Sequence, residues 1–174
     1  MIKIIAGKYK NRKLKIFNLQ NVRPTQARVR KSMMDILRDF SDKEVLDLFS
    51  GVGTLGIESY SRGAKHITFV DNNLKVLNVL NKNLELLSIN DYSIVQSDAI
   101  KFLKNTNQKF DLIFADPPYG KFDFLDLIPF VKENLNINGI FCYECKKKRI
   151  DIDLDIKIKN FGTTQVIFWR NNDE

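Results

Sequence analysis

Histidine and cysteine are nearly absent from these 174 residues, which contain one His and two Cys. That scarcity leaves little material for a metal centre. Cys142 and Cys145 form a lone C-x-x-C with no second pair. In an extended stretch such as residues 140–145 the two thiols point to opposite faces, which suits neither a shared metal nor a disulfide. A reducing, cytoplasmic setting is expected. His66 opens an apolar stretch and reads as a surface or packing residue. Also missing is any apolar run of membrane-spanning length. The opening Met1-Ile2-Lys3-Ile4-Ile5 reads as a strand rather than a signal peptide. The absence with the most consequence is local: residues 1–34 contain no acid against ten Lys and Arg. Since the whole chain carries +7, the remainder carries −3. A basic N-terminal segment on a mildly acidic body is the electrostatic footprint of a polyanionic partner.

What is present is most specific at Asp116-Pro117-Pro118-Tyr119, directly after the apolar run 110–115. That run reads as a buried strand emerging into a turn. The tetrapeptide resembles the signature of methyltransferases that act on the exocyclic amine of a nucleobase. Such an amine is a poor nucleophile while its lone pair is delocalised into the ring. The Asp116 carboxylate and the Pro117 carbonyl can each accept one N–H of an NH₂ group, which turns the lone pair outward. Two successive prolines restrict φ and favour extended geometry before them, so the carbonyl is aimed in advance. Tyr119 can stack on the flat face of the base, a contact worth roughly 1–3 kcal/mol. A plain strand end with a Pro-Pro turn is the competing reading.

A second motif lies upstream. Residues 44–56 read as a strand, a glycine turn and a helix start, and Asp71 ends another strand twenty residues after Gly51. Gly51, Gly53 and Gly56 with Asp71 match a dinucleotide fingerprint, which alone would suggest an NAD-dependent oxidoreductase. The Asp47-x-Phe49-x-Gly51-x-Gly53 pattern fits S-adenosylmethionine better, because a carboxylate beside the turn suits a cationic ligand. The expected cofactor contacts are Asp47, Phe49, Ser50, Gly51, Gly53, Thr54, Asp71, Asn72, Asp98 and Ala99. Asp71 would accept from the ribose hydroxyls and Asp98 would read the adenine amine. Asp98 also reads as the N-cap of a helix over 98–105, and both roles can hold together.

From residue 44 strands and helices alternate, with strands over 44–49, 66–71, 92–96, 110–115 and 139–145. A hairpin over 155–161 and 164–170 closes the chain. Alternation of this kind gives a mostly parallel α/β sheet with helices on both faces. Its ligand site lies at the carboxyl ends of the strands, where Asp47, Asp71 and Asp116 all fall. Before it, residues 2–5 and 13–17 read as short strands, and Thr25 as the N-cap of a helix presenting Val29, Met33, Leu37 and Phe40 on one face. Pro129 falls inside a helix over 122–135 and is expected to kink or shorten it. The division expected is a basic extension over 1–40 within one compact domain, and a methyltransferase domain over 41–174. A later basic run, Lys146-Lys147-Lys148-Arg149, precedes Asp151, Asp153 and Asp155; it reads either as a rim of a nucleic-acid site or as a solvated loop, with the loop preferred.

Taken together, the chain resembles the RsmD family of bacterial 16S rRNA (guanine-N2) methyltransferases. The resemblance rests on Ile4-Ile5-Ala6-Gly7, Arg12-Lys13-Leu14, Arg23-Pro24-Thr25 with Arg28 and Arg30, the segment 47–58, Ser61-Arg62-Gly63-Ala64, Asp71 and residues 116–119. It implies a Rossmann-like class I methyltransferase fold, seven strands ordered 3-2-1-4-5-7-6 with the seventh antiparallel. It implies S-adenosylmethionine as cofactor without a metal, and a monomer acting on 16S rRNA or the small-subunit particle. Asp116 to Tyr119 would be catalytic. Lys8, Lys10, Arg12, Lys13, Arg23, Thr25, Arg28 and Arg30 are the expected RNA contacts. The nearest rival activity is methylation of adenine N6 or another RNA or DNA base.

Overall fold

The computed structural model describes residues 2–16, 27–118 and 120–172. Strands β1 (Ile2–Lys3) and β2 (Lys13–Leu14) pair antiparallel and are shorter than the expected runs. Helix α1 (Ala27–Leu37) buries Val29 and Met33, as their four-residue spacing predicts. Its buried stripe is wider than expected and takes in Arg30 and Met34 as a second row. Phe40 is buried just beyond the helix end rather than on it. Arg23 and the N-cap expected at Thr25 lie outside the described residues.

Alternation then proceeds through β3 (Glu44–Asp47), α2 (Thr54–Ser61), β4 (His66–Asp71), α3 (Leu74–Leu87), β5 (Tyr92–Gln96), α4 (Ala99–Asn105) and β6 (Phe110–Ala115). Helix α5 (Phe124–Asn134), β7 (Leu135–Lys146), β8 (Ile156–Phe161) and β9 (Thr164–Arg170) complete it. The seven strands lie in the order β5-β4-β3-β6-β7-β9-β8. Counted from β3, that is 3-2-1-4-5-7-6, with β9 antiparallel to both neighbours. This is the Rossmann-like class I methyltransferase fold that the alternation and the resemblance predict.

Strands β3 and β6 are almost wholly buried because helices cover both sheet faces. One layer packs Met33 of α1, Ile57 of α2 and Leu80 of α3 against Phe69. The other packs Leu103 of α4 and Leu127 of α5 against Ile113 and Phe141. Cys142 belongs to the first layer and Cys145 to the second, so the strand sends them to opposite faces. Burial raises the pKa of both thiols. Pro129 does not terminate α5, whose start is fixed by a reciprocal capping box between Asp123 and Asp126. Among the described residues no helix is long and apolar enough to cross a membrane.

Candidate active site

Parallel strands bring their carboxyl ends to one rim, and the chain places an acid at three of them. Asp47 ends β3, Asp71 ends β4 and Asp116 follows β6. The register Asp47↔Phe69 and Asp47↔Phe114 puts these ends side by side. Between them lies a cavity of about 330 Å³.

The turn after β3 supplies the first wall. Gly51 and Gly53 both adopt positive φ, 51° and 87°, which is why the turn needs glycine at these two places. Behind the turn, Asp47 is buried and its Oδ2 accepts the Gly56 N–H at 2.9 Å, which fastens the start of α2 to β3. Burial raises the Asp47 carboxyl to about 7 against the lowering effect of that hydrogen bond, and Asp116 and Asp71 add to the rise. Asp47 therefore holds the turn and sets the local charge. Gly53 stands off the cavity lining, against Leu80, where a Cβ would fall 2.3 Å from Leu80 Cδ1. Over Gly51 there is open space.

Asp71 accepts the Gly51 N–H through Oδ2 at 3.0 Å and the Asn73 N–H through Oδ1 at 2.9 Å. Each carboxylate oxygen retains a second lone pair, enough for a pair of vicinal hydroxyls. Asp98 caps α4 by accepting the Lys101 N–H at 3.0 Å, as the N-cap reading predicts. It also lines the cavity beside Ala99.

The remaining expected residues, Phe49, Ser50, Thr54, Asn72, Asp116, Pro117 and Pro118, line the same cavity. Asp116 is half-buried and Pro117 buried. The Ser50 hydroxyl is buried with no hydrogen-bond partner among the described residues. An orphaned hydroxyl, a glycine under open space and several carboxylates suit a ligand that is polar and cationic. Tyr119 lies outside the described residues.

Among the lining residues that the sequence reading did not single out are Ile16, Lys121, Phe122 and Glu144. Phe122 packs its ring 5.0 Å from that of Phe49, which joins the loop after β6 to the turn after β3. Glu144 is a buried acid in the apolar strand β7, and that mismatch was the available signal. Ile16 is brought in by Asn83, which is fully buried on α3. Asn83 accepts the Lys15 N–H at 2.7 Å and donates to the Lys15 and Val52 carbonyls at 3.1 Å each.

The basic segment divides. Lys8, Lys10, Arg12, Lys13 and Arg28 are exposed. Arg30 is not, and its expected RNA contact is withdrawn. Its side chain is 2% exposed, ion-paired with Glu58 and hydrogen-bonded to the Lys3 carbonyl at 2.7 Å.

Fold and rim define a class I methyltransferase domain. The chain matches the family described as Conserved hypothetical protein 95 over residues 2–170, and it belongs to that family, the RsmD family. It is similar to Ribosomal RNA small subunit methyltransferase D of Buchnera aphidicola subsp. Baizongia pistaciae, 39% identical over 120 residues. That alignment takes in 68% of this chain and spans 61% of the relative's length. A solved candidate methylase of Haemophilus influenzae is 30% identical with a TM-score of 0.82, over 99% of both chains. A candidate methyltransferase of Escherichia coli is 26% identical with a TM-score of 0.88, again over 99% of both.

Proposed function

We propose that this protein transfers the methyl group of S-adenosylmethionine to the exocyclic N2 amine of a guanine in 16S rRNA of the small ribosomal subunit. The observation that carries the reading is the meeting of Asp116-Pro117-Pro118 with the Gly51 turn and Asp71 in one cavity. Gly51, Ser50 and Asp71 would hold the cofactor, with Asp98 at its adenine end. When bound, S-adenosylmethionine supplies an electrophilic methyl on a cationic sulfur. Asp116 and the Pro117 carbonyl accept the two N–H groups of the target amine and point its lone pair into the cavity. Transfer leaves a cationic nitrogen, which the Asp116 carboxylate stabilises until its proton is lost to solvent. Alignment supplies most of the acceleration, and no strong base is required. Tyr119 stacks on the base, which must be unpaired or flipped to reach the cavity.

In this reading residues 1–40 serve RNA recognition and 41–174 the chemistry, in a monomer acting in the cytoplasm. The guanine target rests on the resemblance of Arg23-Pro24-Thr25 and Asp116-Pro117-Pro118-Tyr119 to the RsmD family pattern. The test is transfer from labelled S-adenosylmethionine to unmodified small-subunit particles and naked 16S rRNA, followed by nucleoside mapping. Label at guanine N2 of one site is expected, and Asp116→Ala abolishes it while S-adenosylhomocysteine still binds. Label on adenine N6 would replace the substrate and keep the mechanism. Absence of any label on RNA would sink the reading.

A further inference from the structure

In sequence, Lys146-Lys147-Lys148-Arg149 is followed at once by Asp151, Asp153 and Asp155, and the charges look mixed. The fold separates them. Strand β7 runs toward the rim that carries Asp116, with Tyr143 beside Ala115, and ends at Lys146 opposite Thr164. Strand β8 then begins at Ile156 opposite Trp169, which itself pairs with Phe141 near the far end of the sheet. The chain from 147 to 155 therefore descends from the rim to the opposite edge. Thr164 and Trp169 are five strand positions apart, about 17 Å at the usual rise. That is roughly two Debye lengths at physiological salt.

During the descent Ile150, Ile152 and Leu154 pack on the second core layer while Asp151, Asp153 and Asp155 face solvent. The four cations stay exposed at the rim. Their backbone is fixed, since the Lys147 N–H donates to the Thr163 carbonyl at 2.8 Å and the Lys148 N–H to Gln165 Oε1 at 3.2 Å. Lys148 also pairs with Asp123 at the start of α5, on the chain that leads out of Asp116-Pro117-Pro118. Lys121, between these, lines the cavity. The exposed N-terminal cations flank Ile2, Ile4, Leu14 and Val29, which pack in the other layer, and their segment reaches the same cavity at Ile16.

We infer that Lys146, Lys147 and Arg149 form a second RNA-phosphate contact face, across the cavity mouth from the basic N-terminal segment. The strand carrying the target base would pass between the two, which holds it over Asp116. This rests on the RNA substrate proposed above.

The test is binding of unmodified 16S rRNA over a series of salt concentrations. Each lost phosphate contact on single-stranded RNA lowers the slope of log K against log salt by about 0.7. A variant carrying Lys146→Gln, Lys147→Gln and Arg149→Gln should therefore lose about 2 from the slope, with S-adenosylhomocysteine affinity and melting temperature unchanged. Lys148 is left in place because it anchors the loop. A companion variant, Asp151→Asn, Asp153→Asn and Asp155→Asn, should keep the wild-type slope. An equal and opposite change in the companion would mean that net charge alone governs binding, and would overturn the inference. So would an unchanged slope in the Gln variant beside a steep wild-type slope. If the wild type itself bound RNA with no salt dependence, the RNA substrate would fall, and this face with it.

Discussion

Arg30 and Glu58 form an ion pair at 3.7 Å in which both side chains are almost wholly buried. Glu58 also accepts the backbone N–H groups of Ile5 and Ala6 at 2.8 and 3.0 Å, and Arg62 Nε at 3.1 Å. One carboxylate on α2 thus gathers the N-terminal strand, α1 and its own helix end. Removing it leaves a buried guanidinium without its counter-charge and two backbone donors without an acceptor. Glu58→Leu should cost about 3–5 kcal/mol of stability, the usual range for breaking a buried pair. Urea unfolding reads the loss, and amide exchange at Ile5 and Ala6 should quicken well before that of β3 or β6. Uniform acceleration across the sheet would mean that Glu58 supports the whole core rather than this junction.

Asn83 ties the same basic segment to the glycine turn. Replacing it with Leu strands the Lys15 N–H and removes a donor from the Val52 carbonyl, at roughly 1–3 kcal/mol for each buried group left unsatisfied. Because Val52 belongs to the turn, affinity for S-adenosylhomocysteine should fall as well. Asn83→Asp keeps the bond from Lys15 and loses both donated ones, so the binding defect should persist while part of the stability returns. A variant with normal ligand affinity and lowered stability would confine Asn83 to packing.

These two junctions also mark where sequence reading succeeds and stops. Alternating apolar runs and glycine turns sufficed for a mostly parallel α/β sheet with its site at the strand ends, whereas the strand order came from the family resemblance. Asp71 and Asp98 fell at strand ends, where local pattern suffices to place them. Arg30 was misread because a four-residue spacing marks the centre of a helical stripe and not its width; the partner that makes its burial tolerable is Glu58, 28 positions away. Glu144 and Lys121 reach the cavity through strand register and loop path, neither of which local periodicity encodes.

Asp47 gives the protein an unusual pH response. An aspartate that ordinarily titrates at 3.8 stands near 7 in the folded state, chiefly through burial. Between those values the folded protein holds a proton that the unfolded chain has released. Stability from this group is therefore full below the unfolded pKa and is lost as pH rises toward 7, with a slope of at most about 1.4 kcal/mol per pH unit. Asp47→Asn keeps an acceptor for the Gly56 N–H and cannot titrate. Urea midpoints measured across this window should decline more steeply with pH in the wild type than in Asp47→Asn. Parallel curves would show that Asp47 titrates normally.

The two glycines of the turn can be told apart by what surrounds them. Gly51 and Gly53 share positive φ, so alanine at either meets a left-handed backbone penalty of about 1–2 kcal/mol. At Gly53 the new methyl would also lie 2.3 Å from Leu80 Cδ1 and 3.1 Å from Ile57 Cδ1, inside the packed layer. Overpacking of that kind adds roughly 1–3 kcal/mol. At Gly51 nothing lies within 4 Å, and the residue lines the cavity. Gly53→Ala should therefore be the less stable variant to heat and urea. Gly51→Ala should unfold closer to wild type yet bind S-adenosylhomocysteine more weakly, because its methyl stands where the ligand approaches the turn. Calorimetric titration beside thermal unfolding separates the two effects. Unimpaired binding by a folded Gly51→Ala would remove the turn from the cofactor site and leave Asp71 to be explained another way.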